Sequence, residues 1–206
     1  MLKIWGRINS VHVQKVLWLC DELELSYERI DAGMQFGVVD TPAYRAMNPT
    51  GRVPVIDDDG FILWESNAIV RYLSAKHGAG TLWPHDLRQR ADADRWMDWI
   101  SLTVQPLVTP VFWGLIRTSV AQRDMALIHA QAEKAAQAFA VLEQALAGRQ
   151  YVAGSDFTMG DIAVGVWVYR WYGLDVSRPV QPNLEAYLTR LQQRAPFQKH
   201  IMLPLT

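Results

Sequence analysis

The sequence is poor in cysteine, in long apolar runs and in surplus charge, and each shortage excludes a class of protein. Cys20 is the single cysteine among 206 residues, so neither an intrachain disulfide nor a redox Cys-x-x-Cys pair can form. No stretch approaches the roughly 18 consecutive apolar residues of a membrane span. Lys3 and Gly6 interrupt the N-terminus before it could supply the apolar run of a secretory signal. We therefore expect a cytoplasmic protein with no membrane association.

Charge and motif content exclude further classes. Lys plus Arg total 20 against 21 for Asp plus Glu, a formal net charge of −1, which offers nucleic acid no broad basic surface. The five histidines are scattered without the spacing of metal ligands, so no metal site is predicted. Neither a P-loop nor a Rossmann glycine pattern is present.

Apolar and aromatic residues, by contrast, are plentiful. Half of the chain is hydrophobic, with nine Trp, seven Tyr and six Phe, which suits a large core, an aromatic-lined cleft or an oligomer interface. The pattern changes once along the chain: β-like runs alternate with helical periodicity up to residue 77, and helical patterns follow from about residue 87. We predict an α/β domain over residues 1–78 and an all-helical domain over residues 87–206.

The pattern of the first domain predicts β-α-β, a short helix, then β-β-α. Because a helix separates the first two strands, they are expected to be parallel, whereas Asp59-Gly60 predicts an antiparallel hairpin. The predicted elements are a strand at Leu2–Trp5, a helix with apolar positions from Val13, a strand at Tyr27–Ile30, a helix from Pro42 to Met47, strands at Val53–Asp57 and Phe61–Trp64, and a helix that starts at Glu65–Asn67.

The second domain is predicted to contain four helices. Pro106 and Pro110 are expected to break or kink the first of them, and Thr158 with Asp161 forms a capping box ahead of a helix that is apolar almost all round. The predicted helices are Leu87–Ile116, Ala126–Ala147, one that begins near Ile162, and Leu184–Arg194, which a proline-containing tail follows.

Two sites in the first domain allow two interpretations each. Pro54 either belongs to an edge strand or, with a cis bond, gives Val53 a bend that exposes the Val53 backbone N–H and C=O to a peptide-like ligand. Glu65 and Ser66 form either an ordinary helix start or a site in which Ser66 holds a carboxylate and Glu65 an ammonium group.

A third position lies between the first strand and the first helix. Ser10 either caps the helix or donates its hydroxyl to a thiolate ligand at the positive helix end. His12 either assists there or has no catalytic task. Cys20, on the apolar face of the same helix, is predicted to be a buried structural thiol.

Four motifs in order resemble the cytosolic glutathione transferase family across nearly the whole chain. They are Ser10–Val16, Asn48-Pro-Thr-Gly-Arg-Val-Pro-Val55, Leu63-Trp-Glu-Ser-Asn-Ala-Ile-Val-Arg-Tyr72 and Phe157-Thr-Met-Gly-Asp161. The resemblance implies a thioredoxin-like N-terminal domain, a C-terminal helical bundle domain and a homodimer.

The resemblance also implies a role for each ambiguous residue. Val53, before a cis-like Pro54, would pair with the cysteinyl backbone of glutathione, and Glu65 with Ser66 would bind its γ-glutamyl end. Arg52 and Gln35 would lie near its glycine end. Ser10 would stabilise the glutathione thiolate, with His12 as a near-site group that adds pH dependence.

The expected activity is conjugation of glutathione, as co-substrate, to small hydrophobic electrophiles in detoxification. Trp99, Phe112, Trp113 and Arg117 are the candidates for the electrophile pocket. The alternatives are a glutathione-dependent disulfide reductase, isomerase or ether- or halide-cleaving enzyme, and a non-catalytic glutathione-binding interaction module. Some disulfide-reducing relatives carry Thr-x-Asn where this chain has Ser10-Val-His12, which disfavours the reductase.

Overall fold

A computed structural model describes all 206 residues of the chain. The N-terminal part contains four strands and three helices. The strands are β1 (Leu2–Trp5), β2 (Tyr27–Ile30), β3 (Val55–Asp58) and β4 (Phe61–Trp64), and the helices are α1 (Val11–Glu22), α2 (Pro42–Met47) and α3 (Ser66–His77). The sheet has the order β2-β1-β3-β4, with β1 and β2 parallel and the other two pairs antiparallel. The predicted parallel pair and hairpin are confirmed.

Strand register places alternate side chains on opposite faces of this sheet. Ile4 and Ile56 pair across β1 and β3 and are fully buried in the core that also contains apolar residues of α1 and α3. Val55 faces the other way, where it packs with Ala32 and with Tyr44 of α2. The hairpin turn uses left-handed backbone at Asp59 (φ 51°) and Gly60 (φ 93°), which explains the Asp-Gly pair there.

Two predictions about this part need correction. The third strand starts at Val55 and not at Val53, because the Val53–Pro54 peptide bond is cis and Pro54 supplies no ladder donor. The edge-strand interpretation of Pro54 is also wrong, since β3 lies between β1 and β4.

The remainder of the chain is helical. Its helices are α4 (Leu87–Trp99), α5 (Gln105–Phe112), α6 (Met125–Ala145), α7 (Met159–Tyr172), α8 (Pro182–Gln192) and α9 (Ala195–His200). Of the break or kink predicted near Pro106 and Pro110, the break is wrong, because the chain stays helical from Leu87 to Arg117. The regular α-helix is nevertheless interrupted, since π-helical turns at Ile100–Val104 and Trp113–Arg117 flank α5. Wider turns accommodate the missing proline N–H without ending the helix.

Helix α9 lies in the proline-containing tail, where no helix was predicted. Its Pro196 belongs to the first turn, where proline is well tolerated because no N–H donor is needed. Arg194, just before α9, pairs its Nη2 with Oε2 of Glu22 on α1 at 2.6 Å and thereby ties the two parts of the chain together.

Helix α7 forms the centre of the helical part, as predicted. Twelve of its 14 residues are buried, and both halves of the Thr158–Asp161 capping box are present. It packs against α1 and α3 of the N-terminal part, so one core cluster of 46 buried residues runs through the whole molecule. The division at residues 78 and 87 stays a proposal, placed where α3 ends and α4 begins.

The continuous helix Leu87–Arg117 is both long and apolar. By length and composition alone it could cross a membrane, because its most apolar 18-residue window has a mean hydropathy of 1.4. Only 28% of that window is buried within the chain. Its exposed large apolar side chains are Leu87, Leu102 and Trp113, the last of which lines a cavity described below.

Candidate active site

Two adjoining cavities lie where the helical part meets the N-terminal part. The polar cavity has a volume of about 330 Å³ and one hydrophobic lining residue, and the aromatic cavity has a volume of about 350 Å³. They share four residues, namely His12, Arg52, Val53 and Gln105. Because both cavities meet at these residues, an extended ligand could occupy both.

The loop that precedes β3 is fixed by buried polar groups. The side-chain amide of Asn48 and the hydroxyl of Tyr44 both donate to the carbonyl oxygen of Arg52, each at 2.8 Å. Asn48 Oδ1 also accepts from the Thr50 amide at 3.0 Å. The Asn-Pro-Thr-Gly motif thus holds residues 52–54 in place.

The backbone of Val53 is left without a partner. Its N–H and C=O make no hydrogen bond within the chain, and Val53 lines both cavities beside the cis Pro54. A free donor and acceptor on one residue match the backbone of a peptide-like ligand.

The start of α3 forms one wall of the polar cavity. Glu65 has a φ of 72° and a ψ of 109°, a left-handed conformation that costs a non-glycine residue about 1–3 kcal/mol. Its exposed carboxylate lines the polar cavity beside Ser66, which is 5% exposed. The backbone is thus strained at the position that offers an acidic side chain to a ligand.

His12 joins α1 to this wall. Its Nδ1 lies 3.3 Å from Ser66 Oγ, and its ring meets Trp167 edge to face at a centroid distance of 6.0 Å. Burial, helped by the charges of Lys15 and Arg170, lowers the pKa of His12 to about 3. Burial therefore favours the neutral ring at physiological pH, and the predicted role of His12 in pH dependence stays a prediction.

Ser10 lies in the aromatic cavity at the N-terminus of α1. It is 5% exposed and occupies the predicted cap position, but its side chain makes no capping hydrogen bond. The hydroxyl is consequently free to donate to a ligand, at the helix end where the dipole favours negative charge.

Known protein families match both parts of the chain. The family models for "Glutathione S-transferase, N-terminal domain" and "Glutathione S-transferase, C-terminal domain" match residues 1–75 and 125–190. Glutathione S-transferase GstB of Escherichia coli is 40% identical over 208 residues, with all of both chains covered. The chain belongs to the glutathione S-transferase family.

Solved structures agree with this assignment. The theta class glutathione S-transferase from Xanthomonas axonopodis pv. citri, with glutathione bound, superposes with a TM-score of 0.96 at 43% identity, over 100% of this chain and 99% of that one. Glutathione transferase F2 from Populus trichocarpa has a TM-score of 0.85 at 25% identity, over 98% of each chain. The predicted family, fold class and enzyme class are confirmed.

The structure brings most of the predicted site residues of this glutathione S-transferase together. The polar cavity is lined by Arg52, Val53, Pro54, Glu65 and Ser66, and the aromatic cavity by Ser10, Phe112, Trp113 and Arg117, with His12 in both. Trp99 lines neither cavity: its ring packs edge to face on Trp96 at 5.1 Å, because the helix turns that residue toward the core. Gln35 is exposed and also lies outside both linings.

Two buried cations at the site are missing from the sequence-based predictions. Lys15 is 1% exposed, donates to Asn67 Oδ1 at 2.7 Å and lines the polar cavity, where burial lowers its pKa to about 7. Arg170 is 8% exposed and lines the aromatic cavity. In the sequence, each is a charged residue among the apolar positions of a predicted helix. Such a residue could have been singled out, because a charged side chain is seldom buried unless it has a partner.

Proposed function

We propose that this protein conjugates the thiolate of glutathione to small hydrophobic electrophiles, with glutathione as co-substrate. The observation that carries the proposal is the unpartnered N–H and C=O of Val53 where the two cavities meet. Pairing of these groups with the cysteinyl residue of glutathione would place its γ-glutamyl arm in the polar cavity and its sulfur in the aromatic cavity.

The polar cavity suits the γ-glutamyl head group. Ser66 and the first amides of α3 would hold its carboxylate, and Glu65 would hold its ammonium group. Lys15 lines the same cavity and adds positive charge when protonated. At the other end, Arg52 would meet the glycine carboxylate, and Gln35 would have to reach it from the neighbouring loop.

Ser10 would act on the sulfur. A free thiol has a pKa near 8.5, and lowering it by two units takes about 2.7 kcal/mol of differential stabilisation. A hydrogen bond to charge contributes about 1.5–3 kcal/mol and a helix N-terminus about 0.3–1 kcal/mol. The required 2.7 kcal/mol lies within the range that the unbonded Ser10 hydroxyl and the α1 terminus contribute together.

The chemical step follows from the thiolate. Its sulfur forms a bond to the electrophilic carbon of the second substrate. With an aryl or alkyl halide, the carbon–halogen bond breaks and halide leaves with the bonding pair, while the thiol proton has already gone to solvent. Phe112 and Trp113 line the cavity in which that carbon would lie.

The test is calorimetric titration with glutathione at several pH values together with turnover of a panel of electrophiles. Ser66→Ala should weaken glutathione binding. Ser10→Ala should raise the pKa of the bound thiol and reduce turnover about 10-fold or more, as the loss of about 1.5–3 kcal/mol implies. Ser119→Ala, an exposed serine outside both cavities, is the matched control. Glutathione binding with no electrophile converted would support a binding module and overturn the transferase proposal.

We also propose a homodimer in the cytoplasm. Leu87 and Leu102, on the apolar helix described above, are 70% and 79% exposed in the single chain, and an interface would cover such side chains. The cytoplasm supplies the reducing conditions that keep glutathione as a thiol. Sedimentation at micromolar concentration should show twice the 23.4 kDa chain mass.

A further inference from the structure

The aromatic cavity is rich in positive charge. Four arginines line it, and none of its 18 lining residues is Asp or Glu. Arg52 lies on the side shared with the polar cavity, whereas Arg7, Arg117 and Arg170 belong to the aromatic cavity alone. These last three are called the arginine cluster below. An electrophile pocket for purely hydrophobic compounds has no need of such a cluster.

Arg170 is the member that most needs an explanation. It is only 8% exposed, lines the aromatic cavity, and has no acidic side chain paired with its guanidinium. Its guanidinium carbon lies 4.2 Å from the centroid of Phe112 and 5.8 Å from that of Trp167. A buried guanidinium without an acidic partner is costly, so its retention in the cavity points to a ligand that supplies the negative charge.

The other two members face the same space. Arg7 has a buried Nε without a hydrogen-bond partner. Arg117 lies over the rings of Phe112 and Trp113, at 5.6 and 5.8 Å, and donates to the Met34 sulfur and to the main-chain oxygen of Thr206 at the chain end, so that its charge is partly matched within the chain. Burial, and to a lesser extent the nearness of Arg117 and Arg7, lowers the pKa of Arg170 to about 10, which still leaves it charged at neutral pH.

We infer that the aromatic cavity binds electrophiles that carry a carboxylate on a flat aromatic ring, with the arginine cluster holding the carboxylate and Phe112, Trp113 and Trp167 lining the space for the ring. A guanidinium matches a carboxylate through two parallel N–H donors, and it can do so while it stacks on an aromatic face. This inference rests on the proposed function, since it names the class of its second substrate.

The carboxylates of glutathione are the competing explanation for the cluster. The γ-glutamyl carboxylate is assigned to Ser66 in the polar cavity, and the glycine carboxylate to Arg52 on the shared side. The arginine cluster shares the aromatic cavity with Ser10, where the sulfur is placed. Its charge is therefore available to the electrophile, and the experiment must separate the two ligands.

The test compares 4-chloro-3,5-dinitrobenzoate with its methyl ester, which differs in charge and keeps the ring and the leaving chloride. Each kcat/KM is divided by the rate of the uncatalysed reaction with glutathione. We expect the acid to exceed the ester at least 10-fold in the wild type, and Arg170→Met to reduce that ratio at least 10-fold. Arg95→Met removes an exposed arginine that lies over Trp96 outside the cavity, and it should keep the wild-type ratio.

A binding measurement decides the matter independently of turnover and of the Arg170 variant. Calorimetry of the wild type saturated with S-methylglutathione should show 3,5-dinitrobenzoate binding at least 10-fold more tightly than methyl 3,5-dinitrobenzoate.

Equal binding of the two, or an ester converted as well as the acid, would overturn the anion site and leave the transferase proposal standing. If neither chloride is converted, the transferase proposal fails, while preferential binding of the acid would still support the anion site. Weaker binding of S-methylglutathione itself to Arg170→Met, by the same factor as the acid, would assign the cluster to glutathione and overturn the inference.

Discussion

Replacement of Asp161 by alanine should destabilise the protein far more than the loss of an ordinary helix cap. Asp161 is fully buried and accepts four hydrogen bonds: from the amides of Val152 and Thr158 at 3.0 and 2.8 Å, from the Tyr187 hydroxyl at 3.0 Å and from the Thr158 hydroxyl at 3.3 Å. It therefore fixes the start of α7, the 151–154 turn and α8 at once.

The expected loss of stability follows from the hydrogen-bond donors that the substitution leaves without an acceptor. Each buried donor left without an acceptor costs about 1–3 kcal/mol. Asp161→Ala removes the acceptor of two backbone amides and of the Tyr187 hydroxyl. Relief of the buried carboxylate's desolvation offsets part of that cost. We expect a net loss of about 3–6 kcal/mol, which is a large share of the roughly 5–15 kcal/mol that typically stabilises a folded protein.

Urea unfolding followed by tryptophan fluorescence measures this loss. The matched control is Asp124→Ala, because Asp124 caps α6 by accepting from the Leu127 amide at 2.9 Å but is exposed. Its loss should cost about 1 kcal/mol. A cost for Asp161→Ala within about 1 kcal/mol of that control would refute the argument that burial, and not capping alone, sets the magnitude.

Three further outcomes are expected. Because burial lowers the pKa of His12 to about 3, the pH profile of kcat/KM should show no inflection near pH 6.5, the ordinary pKa of histidine, and His12→Gln should not change the shape of that profile. An inflection near pH 6.5 that His12→Gln abolishes would contradict the burial argument. Burial lowers the pKa of Lys15 from 10.5 to about 7, so between pH 7 and 10.5 the unfolded chain binds more protons than the folded one. The free energy of unfolding of the wild type, measured in urea titrations relative to Lys15→Met, should therefore rise with pH over that range. Leu102→Glu should shift sedimentation toward the monomer if the exposed face of the Leu87–Arg117 helix forms the proposed dimer interface.

Much of the fold was accessible from local sequence patterns. The Asp59-Gly60 turn, the helix between β1 and β2, and the capping box at Thr158 each depend on residues close in the chain, so they could be predicted. The errors arose at prolines. Pro106, Pro110 and Pro196 all lie within helices, because neighbouring turns or a first-turn position compensate for the missing donor.

The candidate site was predictable only in part. Ser10, Val53 and Ser66 lie in motifs whose residue types and order indicate their position, and the structure places all three on adjoining cavities. Trp99 shows the limit of such reasoning, since the helical pattern did not reveal that its ring packs on Trp96. The electrostatic state of His12 was also out of reach, because its pKa depends on burial and on charges such as that of Arg170, which lies far away in the chain.

Most of the secondary structure, the family and the residues of the glutathione-binding motifs could be predicted, because these depend on local patterns and residue order. Which side chains share a cavity depends instead on how the helices pack against each other and against the sheet. Arg7, Arg117 and Arg170 are far apart in the chain, yet α7 and the Leu87–Arg117 helix bring the last two into the cavity that Arg7 lines. Charges so distant in sequence meet only when the core forms, and their burial together then determines what the cavity can bind.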